Sequence, residues 1–162
     1  MRFRRLIRVL VVISRYGLAA LFLFTAIAKL VIVKAFAANV AELLSASGFS
    51  YQRWMWPVTV GVIVVEVVTA ALLLFPRTVR LGAVCAAALL VGFAGYALYY
   101  VYILSGEPLE CGCFGGIIAS QLGVTTALRN LALLIPAILV FFGATRSTRA
   151  QPAPETVSQT SF

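Results

Sequence analysis

The sequence has no histidine and no aspartate, and only three cysteines. The first two absences rule out a histidine-based metal site and a Ser/His/Asp triad, and two nearby cysteines without other ligands make a poor zinc site, since structural zinc takes four. Charge is also scarce: 11% of residues are charged, while 62% are hydrophobic, against roughly 45–50% apolar residues in soluble domains. An ordinary soluble globule is therefore excluded, and 162 residues are enough for about one domain. The net charge of +8 does not gather into one basic patch, so no nucleic-acid partner is expected. The basic residues stand at the ends of apolar runs, which is how membrane topology is encoded.

Four apolar runs predict an all-α integral membrane protein, a four-helix bundle with spans near 9–33, 57–75, 79–104 and 125–144. Each suffices for a hydrocarbon core of about 30 Å, which takes about 20 helical residues. Between the first two spans, Phe36, Val40, Leu43 and Leu44 fall on one face of a short helix lying at the interface. Gly48 ends that helix, and Trp54 and Trp56 mark the headgroup level. Pro57 is placed in the first turn of the second span, where a missing N–H costs nothing, and Pro76 stops that span. Tyr96, Tyr99, Tyr100 and Tyr102 read as an aromatic belt, and Pro136 as a bend in the last span. Residues 1–144 thus form the membrane domain, and 145–162, rich in Ser, Thr, Gln and Pro, a disordered tail.

Four spans put both termini on one side. Arg2, Arg4, Arg5, Arg8, Arg77, Arg80, Arg146 and Arg149 all fall on that side, against Lys34 and Arg53 on the other, with Arg129 at the edge of a span. The positive-inside rule makes both termini cytoplasmic. The expected location is the cell (inner) membrane, with the segment between the third and fourth spans outside, in an oxidising compartment.

That outer segment holds Cys111-Gly112-Cys113-Phe114-Gly115. A disulfide needs Cα atoms about 4.4–6.8 Å apart, which two residues separated by one reach only in a bent backbone. Gly112 gives the freedom for that bend. So tight a bridge closes too short a loop to stabilise the fold and is of the strained, exchange-active kind. The plain alternative is two free thiols in an interfacial turn. Cys85 lies about 28 Å along the helix from Leu104 and cannot reach the pair, which makes it a core residue.

The second constellation is buried charge. Glu66 lies about 14 Å beyond Pro57, near the bilayer middle, where a short carboxylate cannot snorkel and needs a partner. The candidates are Lys29, near the outer end of the first span, and Arg129, at the start of the fourth. Lys29 and Arg15 share nearly one helical face, and both could instead snorkel to the interface. Asn130 is placed to hydrogen-bond across helices.

With these residues in hand, the chain resembles the MauE family of methylamine-utilisation membrane proteins, within the DoxX-like group, over about Arg15 to Ala144. The matching elements are Lys29-Leu30, Glu66, Cys111-Gly-Cys-Phe-Gly115 and Arg129-Asn130, in that order. Thr25-Ala26 departs from the Ser-Gly often found before the lysine. The resemblance implies a role in maturing extracytoplasmic proteins, disulfide formation in a client included, beside a thioredoxin-like partner that must be a separate chain.

Three readings follow. In the first, Cys111 and Cys113 exchange with a thioredoxin-like protein and an extracytoplasmic client, making the chain a component of a thiol-disulfide oxidoreductase. Glu66, Lys29, Arg129 and Asn130 then line an interior site for protons or a quinone, and no metal is expected. Arg129 would favour a thiolate at either cysteine if they approach each other. In the second, the chain is a non-catalytic assembly factor whose polar residues clasp the bundle. In the third, Glu66 serves a proton-coupled carrier of small solutes.

Overall fold

A computed structural model describes residues 2–103 and 124–148. Among them are five helices: α1 Arg2–Val31, α2 Val33–Ala46, α3 Tyr51–Leu74, α4 Val79–Tyr102 and α5 Val124–Thr148. Four of these, all but α2, are long and apolar enough to cross a membrane. α1, α3, α4 and α5 close into a ring in which each helix packs on two neighbours, and α2 lies against α3. The described residues thus form the expected all-helical, four-span bundle.

Its outside is apolar like its core, unlike that of a soluble protein. The buried stripe of α3 is Thr59, Ile63, Glu66, Thr69, Ala70 and Leu73, at helical spacing, and three of these are polar. Its outward face carries Val60, Val64, Val65, Val67 and Val68, all exposed. The stripe of α4 is mostly small residues, Gly82, Ala83, Ala86, Ala94 and Ala97, with Val79, Leu90 and Tyr100 among them, while Leu81, Val84 and Val91 face out. In lipid, apolarity does not distinguish the two sides, so small size and polarity mark the packed face.

Small residues permit close approach. A Cβ added at Gly82 would stand 2.8 Å from the Leu73 nitrogen and 2.9 Å from the Leu72 carbonyl carbon, so the backbones of α3 and α4 nearly touch there. The turn between them is short. The Phe75 N–H closes α3 on Ala71 O, and the Thr78 hydroxyl donates to Leu72 O at 3.0 Å.

Three sequence expectations are refined. α3 begins at Tyr51, so Pro57 lies inside the helix rather than in its first turn. It deprives the Arg53 carbonyl of its helical donor, as Pro136 deprives Ala132 inside α5. α5 continues to Thr148, into the stretch expected to be tail. The tyrosine group is not a single outward belt. Tyr99 and Tyr102 face out, but Tyr100 is buried, and the Tyr96 hydroxyl donates to Leu43 O and meets Ser47 Oγ, both at 3.1 Å. Tyr96 thereby ties α4 to the C-terminus of α2, whose end is set by Gly48 at φ +76°. Within α2, Val40 of the expected apolar face is buried, together with Ala37, while Phe36, Leu43 and Leu44 are half-buried.

Arg15 does not snorkel freely. Its Nε and Nη2 donate to Leu73 O and Leu74 O, each at 2.6 Å, which caps the C-terminus of α3 with a cation. Arg80 Nη2 reaches Ala144 O on α5 at 3.4 Å. Arg15→Met keeps much of the stem and removes both bonds, and is expected to cost about 2 kcal/mol. Arg15→Lys should recover only part of it, because an ammonium cannot reproduce the guanidinium fork. Unfolding in mixed micelles measures both, and an Arg15→Met chain as stable as wild type would contradict the cap.

Candidate functional site: a buried ion pair beside a small cavity

Glu66 sits on the inward stripe of α3 and is 1% exposed. Lys29 sits on the inward stripe of α1, with Phe22, Thr25 and Ala26 on the preceding turns, and is 2% exposed. Lys29 Nζ donates to Glu66 Oε1 at 2.5 Å. Of the two cations that the sequence offered Glu66, Lys29 is the one whose ammonium the structure brings onto the carboxylate.

The ammonium touches more than its counter-ion. It stands 5.5 Å from the ring centroid of Phe36 on α2 and 5.7 Å from that of Phe93 on α4, within the range of cation–π attraction. One charge on α1 therefore meets α2, α3 and α4. Neither phenylalanine was expected from the sequence to meet the ion pair. Phe36 belongs to the apolar face of α2, but nothing in α4 marks Phe93 among so many apolar neighbours. Thr59 and Thr69 were missed too, although they fall on the Glu66 face of a valine-rich span. The Thr25 hydroxyl donates to Phe22 O at 3.0 Å beside the carboxylate.

Beside the pair lies a cavity of about 30 Å³, lined by Leu21, Phe22, Thr25 and Lys29 of α1, Glu66 of α3, Leu90 and Phe93 of α4, and Arg129, Asn130 and Leu133 of α5. The four interior residues named from the sequence thus share one cavity. Asn130 is 7% exposed, and Arg129 is half-buried. The cross-helix hydrogen bond expected of Asn130 is not made by its Nδ2, which has no partner among the described residues.

Cys111, Gly112, Cys113, Phe114 and Gly115 lie outside the described residues, and so does any approach of Arg129 to the cysteines. Cys85 is a half-buried free thiol on α4.

A quinone fits neither of two recesses among the described residues. The cavity at Glu66 has donors, but about 30 Å³ is room for one or two waters, not a ring. A larger groove of about 660 Å³ runs between α4 and α5, lined by Ala83, Val84, Ala87, Ala88, Val91, Gly92, Ala137, Ile138, Phe141 and Phe142. It is apolar throughout, with no side-chain donor for a quinone carbonyl. Size and donors do not coincide.

The fold and site define a class: a small multi-pass helical membrane protein closed around a buried lysine–glutamate pair. The family description "Methylamine utilisation protein MauE" matches residues 7–143, and the chain belongs to that family. No curated protein and no solved structure matches it.

Proposed function

We propose that the chain is a cell-membrane maturation factor that supports thiol-disulfide exchange in extracytoplasmic proteins through Cys111 and Cys113. The observation that carries this reading is the position of Cys111-Gly-Cys113 between α4 and α5, at the other end of α4 from Arg77 and Arg80. With Arg5 and Arg8 at the start of α1, the arginines support a cytoplasmic assignment for their own end and an oxidising compartment for the cysteines. The partners are a separate thioredoxin-like protein and a client whose thiols are exposed outside the cytoplasm. Family membership supports a setting in methylamine utilisation.

The exchange balances within these partners. A client thiolate attacks one sulfur of the Cys111–Cys113 disulfide and releases the other as thiolate, and a second client thiolate resolves the mixed disulfide. The client is oxidised by two electrons and the pair is reduced to the dithiol. Exchange with the oxidised thioredoxin-like protein restores the bridge.

The experiment is acid quenching of cells followed by alkylation. A Cys111–Cys113 disulfide and, in Cys111→Ser or Cys113→Ser, a mixed disulfide with the partner or client are expected. Alkylation that finds both thiols always free, with client maturation unimpaired in the double serine variant, would overturn the reading. A scaffold role is favoured by one specific observation, the Lys29–Glu66 clasp that joins α1 to α3. It predicts loss of the client when the bundle is weakened, but full maturation in the serine variants.

A further inference from the structure

Two buried polar atoms that lie at the cavity make no hydrogen bond among the described residues: Glu66 Oε2 and Asn130 Nδ2. At 1% and 7% exposure, bulk water satisfies neither residue, and leaving such groups unmet is costly. A carboxylate oxygen only accepts, and an amide nitrogen only donates. One guest that serves both must accept from Asn130 and donate to Glu66 inside about 30 Å³. Water does both and fits.

We propose that this cavity is a proton-exchange site, in which one water accepts from Asn130 Nδ2, donates to Glu66 Oε2, and is the path by which the carboxylate gains and loses a proton inside the bundle. Oε1 is held by Lys29, so Oε2 is the receiving atom. A proton arriving on the water as hydronium passes to Oε2, which leaves a neutral carboxyl and water. Release is the reverse. Lys29 Nζ lies on Oε1, between the rings of Phe36 and Phe93, and no electrons move. The charged groups lining the cavity with Glu66 are Lys29 from α1 and Arg129 from α5. α4 contributes only Leu90 and Phe93, and Lys34 and Glu42 of α2 are exposed, outside it.

The site stands on the bundle and not on the cysteine segment, so its test needs no thiol readout. Infrared spectra of the purified protein in nanodiscs, followed through acid–base titration and transfer from H₂O to D₂O, read the carboxyl directly. Wild type should show a protonated-carboxyl carbonyl stretch that grows on acidification, shifts in D₂O, and is missing in Glu66→Gln. Asn130→Leu, whose side chain takes the water's space, should slow the deuterium shift by about tenfold or more. Asn130→Ser keeps the space and a hydroxyl, and should stay within about twofold of wild type. If Asn130→Leu does not fold, Leu133→Phe fills the same cavity and is read in its place. The Cys111→Ser/Cys113→Ser chain should behave as wild type. A wild-type spectrum with no Glu66-dependent band, or a filled-cavity variant that exchanges as fast as wild type, would overturn the proposal.

Discussion

Glu66→Leu is expected to destabilise the bundle by about 3–5 kcal/mol, because it leaves the Lys29 ammonium buried without its counter-ion. Lys29 is 2% exposed and ends on Glu66. The two phenylalanine faces at 5.5 and 5.7 Å offset only part of the loss, at about 0.5–2 kcal/mol. The double variant Lys29→Met/Glu66→Leu should recover most of the stability, since a packed apolar pair often matches or exceeds the ion pair it replaces. The double-mutant cycle separates this coupling from the cost of altered packing. Reversible unfolding in mixed micelles gives all four free energies. A double variant as unstable as Glu66→Leu alone would show that the pair does not act as a unit. If the pair is retained for proton exchange rather than for stability, the double variant should fold well and still lack the Glu66-dependent infrared band.

The second large effect is Gly82→Ala. The added methyl would meet the Leu73 nitrogen at 2.8 Å and the Leu72 carbonyl carbon at 2.9 Å. These are backbone atoms, so no side chain can swing aside, and α3 and α4 must separate. Overpacking of this kind costs about 1–3 kcal/mol. The same substitution at Gly92, where a Cβ meets nothing within 4 Å, should fall within about 0.5 kcal/mol of wild type. Equal effects at the two positions in the same unfolding measurement would contradict the close contact. The separation bears on the site as well, because α3 carries Glu66, whereas α4 carries Leu90 and Phe93 of the same cavity.

Some of this was legible in the residues. Four long apolar runs leave a chain no soluble solution, so span number and the all-helical class follow from composition and length. Lys29, Glu66, Arg129 and Asn130 could be named because an ionisable or amide group in an apolar run is costly unless it faces the interior. Gly48 ended α2 as expected, because the left-handed turn there favours a residue without Cβ. Boundaries were less legible. Gln52-Arg53 and Thr145-Arg146-Ser147-Thr148 are polar, so neither the early start of α3 at Tyr51 nor the extension of α5 to Thr148 carries a hydrophobic signal.

The sequence by itself determined that a carboxylate would lie inside a four-span bundle with two cations within candidate reach. Only the tertiary structure decided that Lys29 takes it, that Phe36 and Phe93 flank the ammonium, and that Arg15 caps α3 instead of snorkelling. It also decided that Asn130 joins Glu66 at a cavity the size of a water. The physical reason is the solvent. In water, hydrophobicity sorts residues into faces that can be read along the chain. In lipid both faces are apolar, and the choice among partners falls to helix rotation and side-chain reach, which exist only once the helices have packed.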